Sequence, residues 1–132
     1  FTDDLIKVMK TEPKIAKCLH LPVQSGSSKI LQKMNRHYDI KHYKKIISKV
    51  KRAIPNISLS TDIIVGFPGE TEKDFNQTMN LIKKVKYDQV FAFMYSRRTG
   101  TPAAEMQNQV DEKIKNTRLN KLLRLQKIMQ KN

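Results

Sequence analysis

Apolar residues along the chain recur at two kinds of spacing, and this pattern predicts strands that alternate with helices. Short runs at 14–23, 57–65 and 88–96 have the length and the β-branched or aromatic character of strands. Apolar residues that recur every three or four positions predict the helices, of which the first covers 2–10 and the last, a basic helix, covers 111–130. The apolar faces of the helices contain these residues: Leu5, Ile6 and Met9; Ile30, Leu31 and Met34; Ile40, Tyr43, Ile47, Val50 and Ile54; Phe75, Met79, Ile82 and Val85; Ile114, Leu122, Leu125 and Met129.

Polar residues in front of the predicted helices can cap their first turns. Ser27 or Ser28 can cap the helix that follows the "QSGSS" turn, and Asp39 can cap the next helix. Thr71 and Asp74 have the spacing of a capping box, in which each side chain accepts a hydrogen bond from the other residue's backbone N–H.

The predicted order of elements is α-β-α-β-α-β-loop-α, which favours a parallel sheet with right-handed crossovers. The run at 57–65 lacks clean alternation at its end, which is typical of a strand buried on both faces. Three strands cannot close a barrel. The predicted fold class is therefore α/β, as an open sheet or a partial parallel (β/α) barrel of about three βα units, followed by a long C-terminal helix. Its uncovered sheet edges would need a cover, a partner or a strand exchange, so self-association is possible.

Small and polar residues follow each predicted strand, as "QSGS", "GFPGE" and "YSRRTGT". In parallel sheets ligands bind at the carboxyl ends of strands, so these segments are expected to meet at one rim. In the "VGFPGET" corner, glycines such as Gly66 permit a sharp turn and close backbone approach, and the N–H groups of the next helix favour anionic or polar atoms. The alternative is an ordinary structural turn. The corner has neither the Gly-Lys-Ser/Thr of a Walker motif nor the G-x-G-x-x-G pattern.

Several polar and aromatic residues near these strand ends are candidates for ligand contacts. Gln24 and Ser25 lie at a strand end, where polar side chains have no role in the core, although they could also cap a turn. Asp62 lies too early in its strand to be a mere cap. Tyr95 could stack on a flat ligand, and Arg98 could pair with an anion.

One histidine and one cysteine lie near the first strand. His20 is interpreted as a core histidine rather than a metal ligand, because no second ligand stands at suitable spacing. Cys18 is the only cysteine, so no disulfide forms within the chain, which fits the reducing cytoplasm. No apolar run approaches a membrane span, and the N-terminus lacks the features of a signal peptide. The chain does not begin with Met, and we expect it to be a fragment of a longer protein.

The net charge of the chain says more about its partners than its overall composition does. It contains 26 Lys and Arg residues against 12 Asp and Glu residues, a net charge of +14. This charge indicates a polyanionic partner, with nucleic acid first and an anionic membrane surface second. Solvated helix faces in a lysine-rich protein would explain it equally well. Arg36, His37, Lys41 and Lys44 line one split helix and could be such a face.

Three runs, "HLPVQSGSSKILQKMNRHY", "STDIIVGFPGETEKDFNQT" and "YDQVFAFMYSRRTGTPAAEMQNQV", together resemble the radical-SAM methylthiotransferases over nearly the whole chain. The resemblance implies that residues 1–110 are the second half of a partial (β/α)6 barrel. Residues 111–132 are then a basic helix that leads toward a missing tRNA-binding domain. It also implies S-adenosylmethionine and [4Fe-4S] clusters as cofactors. The cluster ligands lie outside this chain, and Cys18 matches none of them.

The resemblance also implies roles for individual residues, none of them catalytic, because the cofactor performs the radical chemistry. The residues expected to contact the cofactor are Gln24, Ser25, Asp62, Gly66, Phe93 and Tyr95. Those expected to contact nucleic acid are Arg36, Arg98, Arg118 and Lys121.

The implied activity is the addition of a methylthio group to isopentenyl-adenosine 37 of tRNA, with a sulfur donor as a further partner and no membrane. The fragment alone would be inactive. Threonylcarbamoyl-adenosine is the alternative substrate within the family. Two readings without this chemistry remain open. One is a non-catalytic, basic nucleic-acid-binding α/β module. The other is a phosphate-binding barrel fragment that uses "GFPGE" as an anion cup, although the corner contains no lysine.

Overall fold

The structure is a computed structural model that describes Lys7 and residues 18–130. Its three strands form one parallel sheet in the order β1-β2-β3. The described elements are β1 (Cys18–His20), α1 (Ser28–Lys33), α2 (Ile40–Ala53), β2 (Ser58–Val65), α3 (Glu72–Val85), β3 (Gln89–Met94), a short 3-10 helix (Ala103–Glu105) and α4 (Glu112–Gln130). The predicted α/β fold of about three βα units with a long C-terminal helix is confirmed.

The first predicted strand is shorter in the structure than in the sequence pattern. Only Cys18–His20 pairs continuously with β2, and Gln24 adds an isolated bridge to Ile63. The remainder of the prediction before residue 18 lies outside the described residues, as does the predicted helix at 2–10 apart from Lys7. Within the described residues, β1 and β3 are the two edges of the sheet.

Strand β2 is buried on one face only, so the prediction of burial on both faces is wrong. Thr61, Ile63 and Val65 are fully buried, whereas Asp62 and Ile64, which alternate with them, are half-exposed. Helices cover the face that carries Thr61, Ile63 and Val65. No described element covers the opposite face, which carries Asp62 and Ile64 and is called the open face below. The sequence concealed this difference because Ile63, Ile64 and Val65 form an unbroken apolar run.

The core lies between the sheet and the helices. The α2 and α3 faces predicted from spacing are confirmed, with Tyr43, Ile47, Phe75 and Ile82 all buried. Burying one such side chain contributes about 1.5–3 kcal/mol relative to leaving it in water. No helix in the described part of the chain is both long and apolar enough to cross a bilayer.

The inward face of α4 differs from the prediction. Ile114 was expected to face the core, but it is 42% exposed. The buried positions in the first half of the helix are Lys115 and Arg118, followed by Leu122. The buried face of α4 therefore begins at Lys115 and not at Ile114. Hydrophobic spacing considers apolar residues only, so it could not identify two basic side chains as buried.

The predicted caps are confirmed. Ser27, rather than Ser28, caps α1, and the Asp39 side chain accepts a hydrogen bond from the His42 N–H at 2.8 Å. Thr71 and Asp74 form the capping box of α3. Burial alone would raise the pKa of Asp74, but hydrogen bonds from Thr71 and Ser27 outweigh it and lower the pKa.

Gly26 lies directly against the backbone of α3. Its N–H donates to the Thr78 Oγ1 at 2.8 Å, and a Cβ at this position would lie 2.4 Å from the Thr78 Cα and 2.6 Å from the Gln77 carbonyl oxygen. Backbone atoms cannot yield as the end of a flexible side chain can. The "QSGS" turn can therefore approach α3 this closely only because residue 26 is glycine.

We expect Gly26→Ala to lower the free energy of unfolding of the full-length protein by about 2–3 kcal/mol, in the range of overpacked sites. Urea denaturation measures this change. Gly100→Ala is the control, since its φ of 90° is strained for alanine but nothing lies within 4 Å. The control should cost only about 1 kcal/mol. Equal losses in the two variants would contradict the steric explanation.

Candidate functional site

The uncovered face of the sheet carries aromatic and polar side chains side by side. In the strand register Asp62 lies beside Phe91, and Ile64 lies beside Phe93. Phe91 and Phe93 are 41% and 55% exposed. Large aromatic rings that remain exposed beside one another suit the face of a flat, partly apolar ligand.

His20 joins this face rather than the core, so its interpretation as a core histidine is wrong. Its Nε2 lies 3.3 Å from the Asp62 carboxylate, and its Nδ1 lies 2.7 Å from the Ser60 Oγ. The ring meets Phe91 edge-on, with centroids 5.9 Å apart. Alternation along β1 places it on this exposed face. Among the described residues, no three His, Cys, Asp or Glu side chains are grouped as a metal site would require.

The "QSGS" segment divides its polar residues between the rim and the interior. Gln24 has a φ of 70°, and its Oε1 accepts a hydrogen bond from the Arg36 Nε at 3.0 Å. Ser25 is fully buried, and its Oγ accepts from the Ser27 N–H at 3.1 Å. The Gln24 side chain therefore lies at the rim, where Arg36 holds its carbonyl oxygen, whereas the Ser25 hydroxyl stabilises the turn itself.

The glycine corner after β2 is filled from within the protein. Gly66 has a φ of 79°, and its N–H donates to the Glu70 Oε1 at 2.9 Å. A Cβ on Gly66 would lie 2.2 Å from the Lys115 Cγ. Glycine is required here by its positive φ and by the aliphatic part of Lys115, in addition to any ligand that approaches the corner.

A buried ion pair closes the same corner. The Arg118 Nη1 lies 2.9 Å from the Glu70 Oε1, with the two side chains 5% and 1% exposed. Nη1 also donates to the Glu70 carbonyl oxygen, and the Arg118 Nε donates to the Glu72 carboxylate, each at 3.0 Å. Burial raises the pKa of Glu70, although the Gly66 N–H and Arg118 act to lower it.

This burial corrects the expectation that Arg118 contacts nucleic acid. A basic helix offers no sign in its sequence that one arginine points inward. Arg118 does so because Glu70 and Glu72, 48 and 46 residues earlier, supply carboxylates for it. Its charge is used inside the protein and not on the surface.

Lys115 connects α4 to the end of β3. Its Nζ donates to the Tyr95 carbonyl oxygen at 3.1 Å and lies 5.7 Å from the centre of the Tyr95 ring. The Tyr95 ring also packs edge-on against Phe67, with centroids 5.4 Å apart. The Tyr95 hydroxyl is buried and has no hydrogen-bond partner among the described residues. Buried hydroxyl groups normally form a hydrogen bond, and a ligand or a water molecule could accept or donate one here.

The remaining predicted residues lie on the surface. Arg36 is exposed but hydrogen-bonded to Gln24, Arg98 is exposed in the loop after β3, and Lys121 is exposed on α4. Sequence reasoning missed His20 and Phe91 as members of the open face. For Phe91 the available signal was its position two residues before Phe93, because residues of the same parity in one strand share a face. For His20 no such signal was available along the chain, because its partners Ser60 and Asp62 lie on another strand.

Comparison with known proteins agrees with the geometry. The sequence model of the radical SAM superfamily matches residues 1–82, more than half of the chain. The chain belongs to the radical SAM superfamily. Among solved structures, the radical SAM enzyme coproporphyrinogen III oxidase from Escherichia coli superposes with a TM-score of 0.78 over 98% of this chain and 30% of that chain. At 17% identity, this likeness shows the fold alone.

Within the superfamily, curated relatives named tRNA-2-methylthio-N(6)-dimethylallyladenosine synthase are similar to this chain. The protein from Clostridium botulinum is 57% identical over 122 residues, which cover 92% of this chain and 27% of that protein. The protein from Carboxydothermus hydrogenoformans is 54% identical over 125 residues, 95% of this chain and 28% of that protein. The resemblance to radical SAM methylthiotransferases is confirmed, and the chain spans little more than a quarter of these relatives.

We expect Arg118→Met in the full-length protein to lower the free energy of unfolding by about 3–5 kcal/mol at pH 8, because it leaves the Glu70 carboxylate buried without its partner. Losing Arg118 raises the pKa of Glu70 further. A carboxyl whose pKa is raised by folding stabilises the fold at low pH, and this contribution is lost as pH rises through the folded pKa. The loss should therefore be smaller at pH 5.

Urea denaturation at both pH values measures this difference. Arg124→Met is the matched control, since Arg124 is an exposed arginine on the same helix whose Nε bonds only a carbonyl oxygen one turn away. In the double variant Glu70→Gln with Arg118→Met, the pH dependence of the loss should disappear. A loss that is the same at both pH values in the single variant would contradict the assignment.

Proposed function

We propose that this chain is part of a tRNA-2-methylthio-N(6)-dimethylallyladenosine synthase. Such an enzyme uses radical S-adenosylmethionine chemistry to add a methylthio group to an isopentenyl-adenosine of tRNA. The observation that carries the proposal is 57% identity over 92% of the chain to a relative of that name. By itself the chain would be inactive.

The open face and its rim fit S-adenosylmethionine as a cofactor. Phe93 offers an exposed ring on which an adenine can stack, and Asp62 offers a carboxylate to a hydroxyl or ammonium donor. The Tyr95 hydroxyl lacks a partner, and Gln24 reaches the rim. When bound, the cofactor supplies the radical chemistry. The chain's own residues bind and orient it, and His20 holds the Asp62 carboxylate in place.

The residues present do not fit an iron–sulfur cluster. Such clusters are held by several cysteine thiolates, and this sequence contains only Cys18, which is exposed on an edge strand. We assign no step to a cluster here. In the proposed enzyme, its ligands come from the part of the protein that this chain does not span.

The same proposal covers domains and partners. Residues 1–110 form the second half of the barrel, and 111–132 lead toward a tRNA-binding domain. The tRNA is contacted by the exposed cations Arg36, Arg98 and Lys121, through salt-dependent pairing with phosphates. A separate donor supplies the sulfur, and the enzyme works in the cytoplasm, where tRNA is modified. In the isolated chain, the open edges β1 and β3 would pair with a second copy.

The competing readings are less favoured. The names of the relatives specify the dimethylallyl substrate and not the threonylcarbamoyl one. A phosphate cup at the corner is disfavoured because the Glu70 carboxylate already accepts the Gly66 N–H. A second anion would meet that buried carboxylate. A purely nucleic-acid-binding module would leave the exposed aromatic residues of the open face unexplained.

To test the proposal, the full-length protein is purified without oxygen, supplied with iron and sulfide, and incubated with tRNA, a reductant and S-adenosylmethionine. We expect 5′-deoxyadenosine to form, and nuclease digestion with mass spectrometry to show methylthio-isopentenyl-adenosine. Methylthio-threonylcarbamoyl-adenosine would move the proposal to the alternative substrate. Absence of S-adenosylmethionine cleavage would overturn it in favour of a binding module.

We expect Phe93→Ala to weaken S-adenosylmethionine binding by the full-length protein about tenfold, the scale on which aromatic stacking on a base is lost. Calorimetry with the cluster in place measures the affinity. Ile128→Ala is the control, because Ile128 is an equally exposed apolar residue on α4, away from the open face. Unchanged affinity in the Phe93 variant would remove this residue from the site.

A further inference from the structure

A basic groove lies on the helical side of the sheet, apart from the open face. It has a volume of about 590 Å³ and lies between α1, the start of α2, and α3. Four lysines line it, one or more from each helix: Lys29, Lys44, Lys73 and Lys84. None of the proposed cofactor contacts belongs to this groove.

The groove has a clear excess of positive charge. Its one acidic residue, Asp74, is 7% exposed, with its carboxylate accepting hydrogen bonds from Ser27 and Thr71 and lying 3.6 Å from the Lys29 Nζ. Within the described part of the chain, no carboxylate pairs with Lys44, Lys73 or Lys84. One carboxylate against four lysines leaves a balance of three positive charges.

The surroundings of the groove strengthen the field. Helix α2 contains no acidic residue in its 14 positions, and its basic residues are Lys41, Lys44, Lys45, Lys49, Lys51 and Arg52. Gln77 and Asn80 of α3 add neutral amide donors to the groove wall. Spaced cations with neutral donors between them match the repeating phosphates and sugar hydroxyls of a nucleic acid backbone.

We propose that this groove binds a stretch of the sugar–phosphate backbone of the RNA substrate. The inference rests on the proposed function, since the RNA is the tRNA that is modified. A lysine is a point charge without a fixed geometry, so the groove holds phosphates without reading bases. It anchors the RNA on the outer helices, on the other side of the sheet from the open face. With about 590 Å³ and lysines from three helices, the groove suits an extended backbone better than one isolated anion.

The test measures tRNA binding by the full-length variant Lys44→Gln with Lys84→Gln, using fluorescence anisotropy between about 50 and 200 mM salt. Each phosphate contact contributes about 0.7–0.9 to the slope of log K against log salt. Losing two contacts should lower the slope by about 1.4–1.8. The salt-induced weakening across this range should then be about tenfold smaller than in the wild type.

The matched control is Lys83→Gln with Lys113→Gln, which removes the same charge from exposed positions outside the groove. It should change the slope much less. An equal change in both variants would overturn the proposal in favour of net charge alone, and an unchanged slope in the groove variant would overturn it outright. After either of these two results, a wild-type protein that still binds and modifies tRNA would leave the proposed function standing and overturn only this inference.

Two further measurements test whether the groove instead binds a single small anion or an anionic membrane surface. Competition by inorganic phosphate at constant ionic strength would indicate a single-anion site and overturn the proposal. Binding to vesicles that contain phosphatidylglycerol, lost in the groove variant while tRNA binding is kept, would indicate a membrane surface and also overturn it. Failure of the wild type to bind any tRNA would overturn the proposed function together with this inference.

Discussion

The buried ion pair between Glu70 and Arg118 is the interaction on which the candidate site depends most. Either charge alone in the interior would cost several kcal/mol, so each is tolerated only because the other is present. The pair does more than neutralise charge. Glu70 also accepts the Gly66 N–H, and Arg118 also donates to the Glu70 backbone. The conformation of the corner after β2 is thereby fixed by a helix that lies far along the chain.

Helix α4 is consequently part of the site's framework. Arg118 reaches the corner after β2, and Lys115 reaches the backbone at the end of β3. Leu122, fully buried one turn later, anchors the same face of the helix in the core. Two strand ends that form the rim are therefore held at fixed positions by one helix. Any element attached to the end of this helix would be mechanically connected to the rim.

The two sides of the sheet serve different purposes. The open side exposes Phe91 and Phe93 beside the His20–Asp62 pair, which suits a nucleoside-like ligand. The helical side contains the buried core, and most of the charged side chains of its helices are exposed to solvent. The basic residues behind the net charge of +14 therefore have different roles: Lys115 and Arg118 are buried in the interior, while four lysines of α1, α2 and α3 line the basic groove.

Local interactions explain why much of the fold could be predicted from the sequence. The capping box at Thr71 and Asp74 and the cap at Asp39 involve residues three positions apart, so their spacing alone identifies them. The order of strands and helices followed from apolar periodicity. The family followed from the order and content of three long runs of residues. Gln24, Asp62 and Tyr95 were chosen from their places at or near strand ends, whereas Phe93 was implied by the family resemblance; these residues lie on the open face or at its rim.

The order of the elements, their caps, the parallel α/β arrangement and the family were all predictable from the amino-acid order, because these features depend on neighbours along the chain. Three features became visible only in the folded chain: His20 faces Asp62, Ser25 turns inward, and Arg118 is buried instead of Ile114. Each of these outcomes except the Ser25 turn depends on a partner about 40 or more residues away. Arg118 is buried only because folding brings the Glu70 carboxylate to it, and no periodicity within a single helix can reveal a partner 48 residues away.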